Sequence, residues 1–322
     1  LSTMGKRELA KQCLMSEVAY LYYKKKMTQE EIGQRMFLSR TRISRLLQQA
    51  HACGIVEVRI RSEAERNYAL EEIVQQRFRL KKVLLYNSRE KDETEIMQGV
   101  AALAAGYLRE HTKREMTIGI SWGRSVSETV NALHIDVPFP VNIAQIMGFA
   151  ATDDVSRNCN DIASRLASKF GGRVYYLNTP LVVEDPYVRQ RIMTDPVVSK
   201  TLEIAKSADI ILTGIGTVDH ASTTNPWQGY MDDQSLQEIQ KEGGVGCIGS
   251  IFFNREGKKL NTPWNEHCIG ITLEEIKRMD EVIAVAWGER KSEAILGAMT
   301  GRLMDVMVSD IDTMEKVLTI AG

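Results

Sequence analysis

The stretch MTQEEIGQRMFLSRTRISRLLQQAH, residues 27–51, decides the fold of the N-terminal part of the chain. Thr28 followed by Glu31 is a capping box, in which each side chain satisfies a backbone N–H at the start of a helix. A second helix begins after Ser39, because serine is a preferred N-cap residue. Two short helices joined by a tight turn are typical of a helix-turn-helix motif. An earlier apolar pattern predicts a preceding helix over residues 15–23.

The second of these helices has an apolar face and a polar face. Apolar residues recur at i, i+3, i+4 and i+7 from Ile43 to Ala50 and predict a face turned to a core. The opposite face carries Arg, Ser, Thr and Gln, which read base edges or hold phosphates in a major groove. We expect Arg42 and Arg45 to contact bases. The full set of predicted DNA contacts on this helix is Arg40, Thr41, Arg42, Ser44, Arg45 and Gln48.

Charge is divided unevenly along the chain. Residues 1–62 hold 12 Lys and Arg against 5 Asp and Glu, a net charge of +7, whereas the remainder carries −8. This asymmetry predicts a polyanion partner for one end only. The segment IVEVRIRS then alternates apolar and charged residues, which predicts a wing strand with Arg59 at the DNA backbone. Residues 14–62 are therefore predicted to bind duplex DNA, the alternative being a solvated face on an ordinary helical hairpin.

The rest of the chain is long enough for a second, larger domain. Residues 63–80 form an amphipathic pattern, which predicts either a linker helix or a dimer seam. Over residues 81–322 strand and helix patterns alternate, which predicts an α/β domain with a mainly parallel, doubly wound sheet. The segment GCIGSIFF, residues 246–253, is one of its predicted strands.

Composition limits the classes of protein and site. Five cysteines at irregular spacing indicate reduced thiols. No apolar run approaches the roughly 18 residues of a membrane-spanning helix, so we expect a cytoplasmic protein without a membrane partner. Histidines are scattered without metal-ligand spacing, and we expect neither a metal nor a cofactor. The absence of GxSxG, P-loop and HExxH motifs gives little support for catalysis.

Two predicted strand ends carry chemistry suited to a phosphate. Residues 121–125 read Ser-Trp-Gly-Arg-Ser, where the glycine lets the backbone approach an anion and a new helix offers free N–H groups. Lys291, which follows VIAVAWG, can reach a sugar phosphate. In a doubly wound sheet such ligands lie beyond the carboxyl ends of the strands. The GxG at Gly214 and Gly216 is a weaker signal, more typical of a tight strand exit than of a dinucleotide site.

Several segments resemble one family of bacterial regulators. The N-terminal segment is close to the pattern LTQxEIAxxLGxSRxxVSRLLxxAxxxGIV, and IGISWGRSV, ADIILTGIGT and KSEAILGAMTGRLMDVMVSD follow in family order. The similarity extends from about Glu17 to Leu318. On these motifs the chain is identified as a member of the SorC family of sugar-responsive transcriptional regulators.

The resemblance implies a fold like that of ribose-5-phosphate isomerase and glucosamine-6-phosphate deaminase, used for binding a sugar or sugar phosphate. It also implies a homo-oligomer, commonly a tetramer. By similarity, residues 121–125 match the phosphate-binding segment, Asn158 and Asn160 meet the sugar, and Lys291 lies near the phosphate. Including the positions below, the expected effector site comprises Ser121, Trp122, Gly123, Arg124, Ser125, Gly148, Asn158, Asn160, Gly216, Cys247, Trp287 and Lys291.

The chain departs from the family pattern at three of these positions. Cys247 stands where many relatives carry Asp or Glu, so a carboxylate that accepts sugar hydroxyls is missing. Gly148 begins a departure from the usual GGVG, and Trp287 replaces a common glycine. Trp287 either stacks on a sugar ring or fills the pocket. The departures indicate either an altered ligand or drift in a core loop.

Taken together, the residues and the resemblance predict a DNA-binding regulator whose operator affinity is controlled by a bound sugar or sugar phosphate. One alternative is a sugar-phosphate isomerase or deaminase tethered to DNA, although enolisation needs a base beside the substrate and Cys247 weakens that case. Another is a constitutive architectural protein, which would leave the large domain unexplained.

Overall fold

The computed structural model describes residues 3–56, 66–149, 158–218 and 231–322. The chain divides into two compact units, Leu1–Ser62 and Glu63–Gly322. The predicted wing strand and Arg59 lie outside the described residues, so both stay predictions. No helix of the described ranges is long and apolar enough to cross a membrane.

The smaller unit is helical throughout its described part. Its first helix starts upstream of the predicted residues 15–23, at Thr3, and no proline interrupts it. A single π-helical turn, Tyr20–Lys24, extends that helix. The α-helices are α1 (Thr3–Ala19), α2 (Gln29–Met36) and α3 (Arg40–Ala52).

Local signals in the sequence set the boundaries of α2 and α3. The predicted capping box is present, with the Thr28 N–H donating to the Glu31 carboxylate at 2.7 Å and the Glu31 N–H donating to Thr28 Oγ1 at 3.2 Å. Ser39 Oγ accepts from the Arg42 N–H at 3.3 Å. A Cβ at Gly33 would lie 2.6 Å from the carbonyl oxygen of Leu38, so the turn closes tightly only with glycine there.

The larger unit begins with α4 (Tyr68–Phe78), the helix predicted as a linker or dimer seam. It buries Leu70 and Val74 in a core of the larger unit. The described strands are β1 (Lys82–Tyr86), β2 (Thr117–Ile120), β3 (Asn142–Gln145), β4 (Arg173–Tyr175), β5 (Ile210–Gly214), β6 (Gly216–Thr217), β7 (Gly244–Ile248), β8 (Ile251–Asn254), β9 (Val282–Val285) and β10 (Val306–Asp310).

Seven of the described strands form a parallel sheet in the order β1-β10-β9-β5-β2-β3-β4. Alternate residues of β5 enter different cores, since Ile211 packs on one face of the sheet and Ile210 and Leu212 pack on the other. Burial on both faces is typical of a doubly wound fold. The predicted fold class is therefore confirmed.

Helices cover the two faces of this sheet. Those described after α4 are α5 (Glu93–His111), α6 (Arg124–Ala132), α7 (Cys159–Phe170), α8 (Pro186–Met193), α9 (Pro196–Lys206), α10 (Asp233–Lys241), α11 (Pro263–His267), α12 (Leu273–Ile276), α13 (Ser292–Thr300) and α14 (Ile311–Ala321). Sequence analysis missed α8, although Asp185 caps it and Pro186 occupies its first position, a recognisable helix start.

The prediction of one strand over residues 246–253 was wrong. The segment is a hairpin, in which β7 and β8 pair antiparallel beside β6 in a separate sheet. The reversal occurs at Gly249 and Ser250, which adopt φ values of +54° and +73°. Two consecutive left-handed residues make the tight turn that suits a two-residue hairpin.

Strand order places a crevice at the centre of the large sheet. From β2 the chain moves outward through β3 to β4, and from β5 it moves the opposite way through β9 to β10. The order therefore reverses between β2 and β5. In open α/β sheets, ligands bind at the carboxyl ends of the strands at such a switch point.

Candidate DNA-binding surface and effector site

Helix α3 has a polar face that is open to solvent. Its apolar side chains fill the core of the smaller unit, so the remaining side chains point away from that core. Ser44 is half-buried, which makes it the least accessible of the predicted DNA contacts on the helix. The exposed ones are Arg40, Thr41, Arg42, Arg45 and Gln48.

The arginines of this face are not neutralised from within the described part of the chain. No carboxylate there lies within ion-pair distance of Arg40, Arg42 or Arg45. A row of free guanidinium groups in the N-terminal half of a helix suits contacts with phosphates and guanine edges. The arrangement supports the predicted role of α3.

The β2–α6 loop, residues 121–125, lies at the switch point. Ser121 is 3% exposed, and its hydroxyl has no hydrogen-bond partner among the described residues. Gly123 adopts φ +115°, and no atom lies within 4 Å of the position that a Cβ would take. Ser125 is buried beside the end of β5, since a Cβ at Gly214 would lie 3.9 Å from its Cβ. The loop thus combines an unsatisfied buried hydroxyl with open space above the backbone.

Helix α6 starts without a cap. Its N-cap residue, Gly123, offers no side-chain hydrogen bond, whereas Asp92 and Asn158 cap α5 and α7. The first N–H groups of an uncapped helix are free to bind an anion, and the helix dipole favours negative charge there. The geometry therefore fits a phosphate or carboxylate at this loop.

A second turn, after β9, faces the same crevice. Trp287 is 8% exposed, and its ring centroid lies 5.9 Å from both Arg124 Cζ and Lys291 Nζ. Two cations on one aromatic ring are held in place by its quadrupole. Trp287 is therefore a buried ring that supports Arg124 and Lys291, and its expected contact with the effector stays a prediction.

Of these two cations, Arg124 has a carboxylate partner and Lys291 has none within the described ranges. Arg124 Nη1 donates to Glu93 Oε1 at 2.8 Å, whereas no carboxylate of the described ranges pairs with Lys291. Desolvation lowers the pKa of Lys291 to about 8. Of the two smaller effects, Cys247 raises this pKa and the charge of Arg124 lowers it. A desolvated ammonium without a counterion gains strongly from binding an anion.

Cys247 and Gly216 lie together near Lys291, whose charge acts on the Cys247 thiol. They are paired residues of β7 and β6, and a Cβ at Gly216 would lie 2.5 Å from Cys247 Sγ. Burial raises the pKa of the Cys247 thiol to about 12, although the charge of Lys291 opposes this. The thiol is therefore neutral at physiological pH and does not replace the missing carboxylate.

The predicted sugar contacts at α7 have different environments. Asn160 Oδ1 accepts from Gln145 Nε2 at 2.6 Å, and Gln145 Oε1 accepts from the Leu177 N–H at 2.6 Å. Asn158 caps α7, since its Oδ1 accepts from the Asp161 N–H at 2.9 Å. Asn160 is thus oriented beside the end of β3, whereas the side-chain oxygen of Asn158 accepts the hydrogen bond that caps α7.

Gly148 is packed against backbone rather than open space. A Cβ there would lie 2.4 Å from the carbonyl oxygen of Pro180, and its N–H donates to the Ile269 carbonyl oxygen. The glycine is needed for this close approach of two segments. Its expected contact with the effector stays a prediction.

Sequence analysis missed two residues that shape the site. Gln145 is buried at the end of β3 and orients Asn160. A glutamine inside the apolar run VNIAQIMG was the available signal. Gly288, with φ +93° and open space at its Cβ position, forms the turn that presents Lys291. No group of His, Cys, Asp or Glu suited to a metal ion occurs within the described residues.

In comparison with known proteins, the smaller and the larger unit match two different protein families. Residues 62–319 match the sugar-binding domain family (Sugar-bind), and residues 15–53 match region 4 of sigma-70. The chain is 29% identical over 304 residues to the deoxyribonucleoside regulator of Bacillus subtilis strain 168, covering 94% of this chain and 96% of that protein. It is 27% identical over 307 residues to the sorbitol operon regulator of Klebsiella pneumoniae, covering 95% and 97%.

A solved structure agrees over both units. The crystal structure of the full-length sorbitol operon regulator SorC from Klebsiella pneumoniae matches with a TM-score of 0.74 at 26% identity, covering 95% of this chain and 98% of that chain. These relatives are regulators, so the alternative of a DNA-tethered isomerase or deaminase gains no support. With its helix-turn-helix and its sugar-binding domain, the chain belongs to the SorC family of sugar-binding bacterial transcriptional regulators.

Proposed function

We propose that the effector is a phosphorylated sugar, with its phosphate held between the β2–α6 loop and Lys291. The observation that carries this proposal is that Lys291, without a counterion in the described ranges, lies over the same Trp287 ring as Arg124 of the β2–α6 loop. In that loop, the buried hydroxyl of Ser121 has no partner among the described residues. Arg124 and the uncapped start of α6 add two further anion-binding groups. A dianionic phosphate uses all of them, whereas a neutral sugar would leave the half-buried Lys291 without a counterion.

The remainder of the sugar is proposed to contact Asn160 and Cys247. Asn160, held by Gln145, offers its amide N–H groups to a hydroxyl oxygen. A neutral thiol is only a weak hydrogen-bonding group. The side of the site formed by Cys247 therefore favours an apolar or deoxy carbon of the sugar over a hydroxyl.

The proposed regulation couples this site to operator DNA in an oligomer. The chain acts as a homo-oligomer, by family resemblance a tetramer, in the cytoplasm where bacterial operators are found. A sugar phosphate shifts operator affinity only if it binds one arrangement of the oligomer better than another. Such coupling is commonly about 1–3 kcal/mol.

A thermal-shift panel of matched sugar phosphates and free sugars tests the ligand class. A ligand that binds only the native state adds about 2.7 kcal/mol of stability at 100 times its dissociation constant. Including 2-deoxy and 2-hydroxy members of each pair tests the side formed by Cys247. We expect a shift with a sugar phosphate and none with its free sugar. A response to a free sugar alone overturns the phosphate assignment.

The affinity for the sugar phosphate is expected to fall as pH rises through about 8. Lys291 binds the phosphate as an ammonium, and its pKa of about 8 in the free protein means that this form is lost above that pH. The second pKa of a phosphate monoester is about 6, so binding should be tightest between about pH 6 and pH 8. Isothermal titration calorimetry across this range measures the effect.

The matched control for this pH dependence is Lys291→Arg, because a guanidinium stays charged at every pH used. The variant should lose the decline above pH 8 and keep the decline below pH 6. An unchanged decline above pH 8 in Lys291→Arg would show that another group titrates.

A further inference from the structure

The turn between α2 and α3 contains a large apolar side chain in an unusual position. Phe37 is 95% exposed, and its backbone adopts φ +55° and ψ +39°. This left-handed conformation is strained for a bulky residue, and the family pattern carries glycine at this place. Strained residues persist where function requires them. Neither packing nor backbone geometry in the smaller unit explains the phenylalanine.

Phe37 lies at the N-terminal end of α3. It precedes the N-cap residue Ser39 by two positions, and its side chain is not part of the core of the smaller unit. Arg35 and Arg40 flank it in sequence, are exposed, and have no carboxylate partner within the described ranges. An apolar ring among unneutralised cations is suited to a polyanion rather than to an apolar protein surface.

The major groove offers one apolar group at the base edges, the 5-methyl of thymine. A recognition helix reaches bases with its N-terminal residues, so a side chain immediately before the helix is placed beside the bases that Arg40 to Arg45 approach. We propose that Phe37 packs on a thymine methyl and is a specificity-determining residue of the operator contact. The proposal rests on α3 being the recognition helix.

The test uses the full-length protein without effector and a duplex that the wild type selects from random-sequence DNA. Each thymine of that duplex is replaced in turn by deoxyuracil, which removes only the methyl, and the affinity is measured by fluorescence anisotropy. The wild type should bind about fourfold more weakly at one position, the effect of one buried methyl. Phe37→Gly should bind the parent duplex more weakly and show no loss at that position.

Two control variants separate the ring from the backbone. Phe37→Tyr keeps the ring and should keep the sensitivity to deoxyuracil. Arg79→Gly changes a residue with almost the same conformation, φ +55° and ψ +42°, at the end of α4 in the larger unit, and should leave that sensitivity intact. Amide hydrogen exchange in α2 and α3 should be as slow in Phe37→Gly as in the wild type, because glycine relieves the strain.

Two results overturn the proposal. In one, no thymine of the selected duplex is sensitive to methyl removal in the wild type. In the other, Phe37→Gly and the wild type lose affinity equally at the same thymine. The second result includes the case in which Phe37→Gly binds more weakly than the wild type by the same factor on the thymine duplex and on the deoxyuracil duplex. That case would place the ring on the sugar-phosphate backbone.

Discussion

Replacing Lys291 with alanine is expected to weaken binding of the sugar phosphate by about 10- to 150-fold, since a hydrogen bond to a charged group contributes about 1.5–3 kcal/mol. The loss arises because Lys291 is the cation of the site without a counterion among the described residues, and its partner on the bound ligand is the phosphate. The matching free sugar should bind equally weakly to variant and wild type. Isothermal titration calorimetry with both ligands measures the difference.

Lys113→Ala is the matched control for this experiment. Lys113 is exposed and precedes β2, so it lies at the opposite end of the strand from Ser121. Its removal changes the net charge by the same amount and should leave sugar phosphate affinity nearly unchanged. Equal weakening of the phosphorylated and free sugars by Lys291→Ala would remove Lys291 from the phosphate site.

Replacing Arg45 with alanine is expected to cost about 1–3 kcal/mol of specific operator binding and to relax the preference at one base pair. Arg45 is exposed on α3, and a bidentate contact with guanine is the commonest specific use of arginine in the major groove. Selection from random DNA, followed by anisotropy on the selected duplexes, measures both the preference and the affinity.

Arg35→Ala provides the comparison for Arg45. Arg35 is an exposed arginine of α2, so its loss removes the same charge without removing a side chain of α3. Arg35→Ala should lower the affinity for all duplexes by about the same factor, as expected for loss of a phosphate contact. If Arg45→Ala keeps the wild-type base preference, Arg45 does not read a base.

The parts of the fold that follow from local sequence were predictable. The capping box of Thr28 and Glu31 and the N-cap Ser39 set the helix-turn-helix, because each interaction joins residues only three positions apart. The alternation of strands and helices predicted the doubly wound class, because each strand or helix is read from the residue pattern within its own segment. The sequence singled out the Ser121 loop and Lys291 as candidates because the loop directly follows β2 and Lys291 lies in the turn after β9.

Features that depend on distant segments were not predictable in the same way. The pairing of Gly216 with Cys247 joins β6 to β7, and the contact of Trp287 with Arg124 joins two turns far apart in the chain. Spacing within one segment carries no information on such contacts. The hairpin over residues 246–253 was missed for a different reason, since its turn is made by left-handed backbone at Gly249 and Ser250 rather than by a break in the apolar run.

The central claim is that a sugar phosphate at the Lys291 site controls binding of α3 to operator DNA. The most direct test titrates the full-length protein onto its selected duplex with and without the sugar phosphate that stabilises it, using anisotropy. We predict a change in DNA affinity of about 5- to 150-fold, corresponding to about 1–3 kcal/mol of coupling. In Lys291→Ala the change should be absent at the sugar phosphate concentration that just saturates the wild type. An unchanged DNA affinity at saturating sugar phosphate would contradict the account.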